Sequence, residues 1–473
     1  MNNNYNNRRP VSQHQKYNSN LRRKNKAKRI RIIVLVVLVL AILASVIAYA
    51  VLKSKDNGKN DKPSTTQSGQ AAKPSENDKD DSKDDGKIKP ESTATVLSTG
   101  DILIHDSLLA GANQGNGVYD FTKSFDYVKN IVSDADFAVC NLEVTLGGPD
   151  KKYSSFPLFN TPDALVDALK SAGFDMLLTA NNHSYDSQAA GLKRTPQVIK
   201  EKGLLSTGTR SEKTQKPYIV QKVKDINFGF LNYTYETPSD SKGRKALNGN
   251  FMTYEAGELV NSFNYSNLDT FYADAKAKIQ AMKKDGAEVI MLYLHWGDEY
   301  RTSPNEYQKT IAKKMADLGV DVLIGGHPHV IQPVETIKSD ITGKQMVCLY
   351  SSGNAISNQR VSLMNLKTGH TEDGIMFSTT FTKYSNGEVR LEKIDYTPTW
   401  VNIATIGSKR IHQIIPLKNI TNSTENLVLN SQTAQLARKS FDRTNTLVAS
   451  GVDAYNKSVK PMPEKATTQK DAA

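Results

Sequence analysis

Residues 319–329 read GVDVLIGGHPH, and this stretch decides how the rest of the chain is interpreted. The run VDVLI is typical of a short buried strand, and it ends in two glycines followed by two histidines that flank a proline. Because these histidines lie in a turn and not in a strand, their imidazoles can point apart and reach two different ions. The stretch therefore predicts a strand that presents metal-binding side chains at its carboxyl end.

Four other stretches also run from a buried strand into a polar cluster. They are TATVLSTGD at 93–101, DADFAVCNLE at 134–143, GFDMLLTANNH at 173–183 and GAEVIMLYLHWG at 286–297. Amphipathic helices that stop at a glycine are predicted between the strands, at 162–173, 191–203, 270–286 and 304–319. This alternation predicts an α/β layered domain whose ligands gather at the carboxyl ends of the strands.

The segments at 216–223, 226–236, 345–354, 374–385 and 387–398 are less helical. The turn sequences KDIN at 224–227 and SNGE at 385–388 predict antiparallel pairing among them. A helix is predicted around 433–450. We expect one large domain at 93–400, a C-terminal extension at 401–457 and a disordered tail at 458–473.

The net charge of +12 comes almost entirely from the N-terminus. Residues 1–31 carry ten basic and no acidic side chains, and the uncharged residues 32–52 are long enough for one transmembrane helix. A cleaved signal peptide is the alternative, but its apolar region is shorter than this one. The basic tail predicts a cytoplasmic N-terminus, a disordered extracellular linker at 53–92 and an extracellular domain. We therefore predict a single-pass protein of the cell membrane, without a nucleic-acid partner.

The two cysteines, Cys140 and Cys348, fall in predicted core strands. An extracellular location permits a disulfide, but two thiols in so large a domain are more simply explained as small buried apolar side chains.

The polar residues at the strand ends are suited to binding metal. Manganese, iron and zinc accept neutral imidazole and carboxylate oxygen, and a two-metal site needs about seven such groups, one of them shared. The candidates are Asp101, His105, Glu143, Asn182, His295, His327 and His329. Any one of them alone is better explained as a hydrogen-bonded structural residue. Their joint position at the strand ends favours a site for two divalent transition metal ions, Mn, Fe or Zn.

Several of these stretches together resemble one known family. GDILIHDSLL, CNLEVTL, TANNHSYD, YLHWGDEY, GVDVLIGGHPHVIQPVE and YSSGNAISNQ occur in the order typical of the CapA family, the poly-gamma-glutamate capsule biosynthesis proteins. The resemblance covers about 93–396. That family is similar to the calcineurin-like metallophosphoesterases, so the resemblance implies a two-sheet α/β sandwich with a two-metal centre, here behind a single N-terminal transmembrane helix.

The resemblance also implies a role for each matching residue. Asp101 and His329 would bind the first metal, Glu143 would bridge, and Asn182, His295 and His327 would bind the second. His183 would be the acid that protonates a leaving group. Asp186 would either orient that imidazole or cap the segment that follows.

The chain departs from the metallophosphoesterase pattern at two positions. His105 lies four residues after Asp101 where those enzymes have Asp-x-His, so its ligation is left open. Glu143 replaces the usual bridging aspartate and is longer by one methylene. Asp298 and Glu299 are either supports for His295 or exposed loop charges, and Asn354 is either part of the site or a turn residue.

Two hypotheses of function follow. The first is a metal-dependent hydrolase or transferase, in which two ions generate hydroxide from a shared water. The second is a non-catalytic polymer-handling or assembly subunit with a vestigial metal site. For both, the resemblance implies partners at the cytoplasmic membrane, namely poly-gamma-glutamate or a related anionic envelope polymer and membrane-bound polymer synthase subunits.

Overall fold

The structure is a computed structural model that describes residues 87–417, 423–424, 427–428 and 430–463. The predicted cytoplasmic tail at 1–31, the predicted transmembrane helix at 32–52 and most of the predicted linker lie outside these residues. Within the described ranges, no helix is both long enough and apolar enough to cross a lipid bilayer.

The described chain contains eight α-helices and 21 strands. The helices are α1 (Asp106–Ala112), α2 (Lys129–Ser133), α3 (Ala164–Ala172), α4 (Gln188–Glu201), α5 (Tyr254–Gly257), α6 (Leu268–Lys284), α7 (Glu306–Asp317) and α8 (Ser431–Ser458). The strands are β1 (Pro90–Ile102), β2 (Asn113–Gly115), β3 (Val118–Tyr119), β4 (Phe137–Leu142), β5 (Met176–Leu178), β6 (Leu205–Thr207), β7 (Ile219–Val223), β8 (Ile226–Tyr235), β9 (Ala246–Leu247), β10 (Asn250–Phe251), β11 (Ser262–Phe263), β12 (Val289–His295), β13 (Val322–Gly326), β14 (Val334–Lys338), β15 (Gln345–Leu349), β16 (Asn354–Ile356), β17 (Asp373–Tyr384), β18 (Val389–Ile406), β19 (Lys409–Pro416), β20 (Ser423–Thr424) and β21 (Leu427–Val428).

Two mixed sheets organise these elements. Sheet A has eight strands in the order β19-β18-β17-β1-β4-β5-β6, with β16 also paired to β1. Sheet B has seven strands in the order β11-β8-β12-β13-β15-β14, with β7 also paired to β8. The pairs β1–β4, β4–β5, β8–β12 and β12–β13 are parallel, and the predicted turns at 224–227 and 385–388 join antiparallel neighbours. The expected two-sheet α/β architecture is confirmed.

The strand period of two explains how the layers pack. Val96 and Met291 contribute to the core between the two sheets, whereas the next residues along the chain, Leu97 and Leu292, pack on the outer faces. Helices α3 and α4 cover the outer face of sheet A, and α6 and α7 cover that of sheet B. The fold is therefore a sandwich of two sheets with helices on both sides.

The predicted helices form where their end signals lie. α7 begins at a capping box, in which the Asn305 side chain accepts from the backbone N–H of Gln308 and the Gln308 side chain accepts from that of Asn305. α3 ends at Gly173, whose φ of 102° lies in the left-handed region that glycine adopts without a steric penalty. These signals are local, so the four helices predicted between the strands, which are α3, α4, α6 and α7, could be identified from sequence.

Three predicted boundaries differ from the limits of the elements in the structure. β1 begins at Pro90, so the last residues of the predicted linker belong to sheet A. The boundary at 400/401 falls inside β18, which runs without interruption from Val389 to Ile406 and pairs with β19. α8 extends to Ser458 and adds Val448 and Val452 to the core between the sheets. The predicted extension is thus part of the same domain, because its apolar residues complete the sheet and the core.

Cys140 and Cys348 are buried free thiols on the outer faces of sheets A and B respectively. Burial raises the pKa of both thiols well above the ordinary value. Both therefore serve as packed apolar side chains, in agreement with the simpler of the two interpretations.

Candidate metal centre

The carboxyl ends of five strands from the two sheets meet at one edge of the sandwich. In sheet A, Asp101 lies at the end of β1, Glu143 follows β4, and residues 181–183 follow β5. In sheet B, β12 ends at His295 and β13 leads into the turn at 327–329. Parallel pairing within each sheet brings these ends together, as expected for a ligand site in an α/β fold.

Glu143 lies at the centre of this cluster. Its side chain is 0% exposed, and neither carboxylate oxygen has a hydrogen-bond partner within the described residues. His295 Nε2 lies 3.4 Å and His329 Nε2 3.8 Å from Oε1. A buried carboxylate that lacks partners costs several kcal/mol unless positive charge compensates it. The imidazoles beside Glu143 could carry this positive charge only as imidazolium, and a bound metal ion would supply it while they stay neutral ligands.

Glu143 belongs to two overlapping groups of potential ligands. The ligand atoms of Asp101, Glu143 and His295 lie within 4.8 Å of one another. The ligand atoms of Glu143, His327 and His329 do so as well. Because Glu143 is common to both groups, the geometry suits a bridging position. Which residues surround which ion stays a prediction.

Asp101 is held in place by its neighbours. Asn141 Nδ2 donates to Oδ1 at 2.8 Å, and the backbone N–H of His327 donates to Oδ2 at 3.1 Å. Burial raises the pKa of Asp101, but hydrogen bonding to His329 and the charge of His295 lower it below the usual value. Asp101 is therefore ionised and can offer a carboxylate oxygen to a metal ion.

A close backbone approach explains the second glycine of the GGHPH stretch. A Cβ atom on Gly326 would lie 2.7 Å from Oδ1 of Asp101. Only glycine lets β13 pass so near to this carboxylate.

The two histidines of the turn both adopt left-handed backbone conformations, with φ of 92° at His327 and 57° at His329. Such conformations are strained for residues other than glycine and are concentrated at functional sites. His327 Nδ1 is buried without a hydrogen-bond partner in the described residues, and His329 Nδ1 lies 3.1 Å from Asn354 Oδ1. Burial lowers the pKa of His329, but the carboxylates of Glu143 and Asp101 raise it to about 9. The turn therefore presents two imidazoles to the carboxylates.

Asn182 completes the side of the site next to His295. Asn182 Oδ1 lies 2.7 Å from His295 Nε2, while Asn182 Nδ2 donates to Asn248 Oδ1 at 3.1 Å. Because the amide nitrogen is engaged by Asn248, the amide oxygen faces His295 Nε2, and a bound ion would take the place of the proton between these two atoms. Asn248 lies between β9 and β10 with a φ of 47°, typical of an Asn-Gly turn.

His183 has a different environment from the other histidines of the site. Its Nδ1 lies 2.7 Å from Asp186 Oδ2, which also accepts the backbone N–H of Phe159 at 2.7 Å. Burial raises the pKa of Asp186, and hydrogen bonding to His183 opposes this effect. Asp186 therefore orients the His183 imidazole and does not cap α4, whose N-cap residue is Ser187.

His105 is not part of either ligand group. The backbone N–H of Asn358 donates to His105 Nδ1 at 3.2 Å, and burial lowers the pKa of His105 to about 4. A neutral ring that accepts at Nδ1 carries its proton on Nε2. His105 thus lies outside both groups of potential ligands, and its ligation stays a prediction.

Among the remaining candidates, some residues contact the site and others do not. Asp298 accepts from Asn305 Nδ2 at 2.9 Å, at the start of α7, so it does not support His295. The charge of Glu299 contributes to the raised pKa of His329, which places it near the site. Asn354 is 0% exposed and contacts His329, so it positions that ligand and is more than a turn residue.

Sequence reasoning missed three amides. Asn141 holds Asp101, Asn181 donates to Asn141 Oδ1 at 3.3 Å, and Asn248 holds Asn182. Asn141 and Asn181 occur beside the predicted ligands in NLE and NNH, and that proximity was a usable signal. Asn248 lies in a separate hairpin and carried no such signal.

The donor set fits two divalent transition metal ions. It combines two carboxylates, three imidazoles and one amide oxygen, which are ligand types for Mn, Fe and Zn. Glu143 without a partner and His327 Nδ1 without a partner are both explained by a bound cation. Asp101, Glu143, Asn182, His295, His327 and His329 would hold the ions.

A family profile described as "Bacterial capsule synthesis protein PGA_cap" matches residues 95–359. "Capsule biosynthesis protein CapA" of Bacillus anthracis is 28% identical over 278 residues, which is 58% of this chain and 62% of that protein. "PGA biosynthesis protein CapA" of Bacillus subtilis is 26% identical over 279 residues, which is 56% of this chain and 67% of that protein. The match thus spans less than two thirds of the first relative's length and about two thirds of the second's.

Among solved structures, a Staphylococcus aureus protein assigned as a 5'-nucleotidase aligns with a TM-score of 0.37 at 12% identity. The alignment covers 74% of this chain and 58% of that one.

Proposed function

The chain belongs to the PGA_cap family of bacterial capsule synthesis proteins, and from this premise we propose that it uses a two-metal site in the synthesis or export of poly-gamma-glutamate. The relatives support the capsule part of the proposal by their names, since one is a capsule and the other a PGA biosynthesis protein. The metal part rests on the site itself.

The observation that carries the proposal is the position of Glu143. It is fully buried, it has no hydrogen-bond partner in the described residues, and it is shared by two groups of potential ligands. We assign Asp101 and His329 to the first ion, with Glu143 bridging. We assign Asn182, His295 and His327 to the second.

The proposed reaction is hydrolysis or group transfer at a carbonyl or phosphoryl centre. Two bound ions would supply a water of lowered pKa and would stabilise negative charge on the oxygen of the attacked group. The residues of the chain do the rest. Asp101 and Glu143 would offer carboxylate oxygens to the ions, and the amide of Asn182 is fixed by Asn248.

His183 is suited to act as general acid. Asp186 accepts from Nδ1–H and stabilises the charged imidazolium, so that Nε2–H is the proton to be given up. When the bond to the leaving group breaks, this proton goes to the leaving atom. The water-derived hydroxyl, or the hydroxyl or amine of an acceptor, takes the place of the leaving group.

We also propose that residues 32–52 anchor the protein in the cytoplasmic membrane, with the described domain outside and polymer synthase subunits beside it. The basic residues of 1–31 support this orientation. Protease treatment of intact cells should digest the domain and leave a membrane-bound N-terminal fragment. A domain that becomes accessible only after lysis would contradict the orientation.

The function is tested by comparing His183→Ala with Asn182→Ala in cells that depend on this protein for capsule. We expect His183→Ala to abolish capsule formation while two equivalents of metal remain bound. Asn182→Ala should reduce both metal content and capsule. If both variants support normal capsule formation, the protein handles or assembles polymer without catalysis. Capsule formation that survives both substitutions but is lost when 32–52 are deleted would support that second function.

A further inference from the structure

A second polar cavity lies beside the metal centre. Its volume is about 360 Å³, and it is enclosed by the start of α1, the loop after β16, strands β18 and β19, and the start of α8. Its polar wall includes Ser107, Asn358, Arg360, Arg410 and His412. Neither this loop nor β19 contributes a residue to the proposed two-metal site.

The wall of this cavity is positively charged. Two arginines and several amide and hydroxyl groups line it, and no Asp or Glu is among its lining residues. Three larger surface cavities of the described chain each include at least one carboxylate. Arg410 is exposed and makes no ion pair within the described residues. Its charge is therefore available to an anion.

The other donors of the wall are held in place. Arg360 Nη2 lies 3.1 Å from Glu372 Oε2, and its guanidinium packs over the Trp400 ring at 5.6 Å. His412 Nε2 lies 2.9 Å from Asn358 Oδ1, an arrangement that leaves Asn358 Nδ2 without a partner in the described residues. Fixed donors lose little entropy when a ligand binds, which favours recognition of a charged group.

The cavity is connected to the metal centre through β16 and the loop that follows it. Asn354, the first residue of β16, contacts His329, and Asn358, in the loop, donates its backbone N–H to His105. The cavity and the metal centre are therefore joined by the short segment 354–358.

We propose that this cavity binds a carboxylate group of an acidic polymer whose neighbouring segment occupies the metal centre. The inference rests on the proposed function and names the substrate class, a chain with repeated carboxylates. Arg410 supplies the charge, and Arg360 and Asn358 supply fixed donors. Carboxylate binding here would set the register of the chain relative to the metals.

The probe is a short fluorescent oligomer of γ-linked glutamate, titrated into the full-length, metal-loaded protein. We expect Arg410→Glu to weaken binding by about tenfold or more, as for loss of a charge-assisted hydrogen bond. Asn358→Asp should also weaken binding, because it preserves the acceptor for His412 and adds a negative charge to the wall. Lys276→Glu on α6 is the matched control and should bind as the wild type does. Metal content should be equal in all four proteins.

Equal binding by Arg410→Glu, Asn358→Asp and wild type would overturn the proposal. So would tight binding of polyphosphate by a wild-type protein that does not bind the glutamate oligomer. Failure of the metal hypothesis is distinguishable. If the wild-type protein contains no metal but Arg410→Glu still binds the oligomer more weakly than the wild type does, the cavity assignment stands.

Discussion

Two buried carboxylates in this molecule have opposite surroundings. Asp373 at the start of β17 is 1% exposed and accepts two hydrogen bonds from Arg443 of α8, at 2.7 and 2.6 Å. Glu143 is 0% exposed and accepts none within the described residues. The fold supplies a fixed guanidinium for the first carboxylate and titratable imidazoles for the second. The difference separates a carboxylate that joins α8 to sheet A from one that lies where a metal ion could bind.

The largest effect is expected from Glu143→Gln. The neutral amide removes the shared negative charge, so both ions should be lost from the purified protein. In the presence of a chelator, the free energy of unfolding should stay the same or rise, because an uncompensated buried charge has been removed. Elemental analysis and urea denaturation measure the two quantities. A fall in stability without loss of metal would make Glu143 a structural residue like Asp373.

Arg443→Met should lower stability and leave metal content unchanged, which is the opposite of the result expected for Glu143→Gln. It leaves Asp373 buried without its partner, and breaking such a pair costs about 3–5 kcal/mol. Urea denaturation should show this loss while metal content stays at the wild-type level. The double variant Arg443→Met with Asp373→Asn should recover part of the stability. Unchanged stability of the single variant would remove the contrast between the two carboxylates.

Gly326→Ala tests the close approach of β13 to Asp101. The added methyl would lie 2.7 Å from Asp101 Oδ1, so the carboxylate must move. Metal affinity should fall by about a hundredfold, the upper range for a disturbed ligand support. Gly257→Ala in α5 is the control, because its Cβ would meet only the flexible Lys245 side chain at 3.4 Å. Calorimetric metal titration should show equal affinity for this control and the wild type.

The smallest effect on metal affinity is expected from substitution of Asn248. Asn248→Gly keeps the left-handed turn but removes the oxygen that holds Asn182, so metal affinity should fall by about tenfold. Asn248→Asp retains an acceptor and should bind metal nearly as the wild type does. If both variants lose affinity equally, the hairpin acts through its backbone, and the side-chain contact is not the cause.

The parts of the fold that could be predicted from sequence are those with a local signal. Strands and helices were identified by their periodicity and by their terminal residues, as at Asn305 and Gly173. The boundary at 400 was misplaced because β18 is 18 residues long and mixes half-buried with buried positions, so its pattern does not mark a continuing strand. Regular elements were therefore predictable, and domain limits were not.

The candidate site shows the same distinction between features with a local sequence signal and features without one. Glu143 and His327 were identified because they follow apolar strands directly. The contact of Asn248 with Asn182 joins residues 66 positions apart, and that of Asn358 with His105 joins residues 253 apart. No local pattern encodes such pairs. The candidate ligands could thus be placed at the strand ends from sequence, whereas the residues that orient them required the structure.

The most direct test of the central claim is a crystal structure of the metal-loaded domain with anomalous diffraction recorded at the absorption edge of the bound metal. We expect two anomalous peaks about 3.5–4 Å apart, one on each side of the Glu143 carboxylate. A single peak that does not contact Glu143, or none in a fully loaded protein, would contradict it.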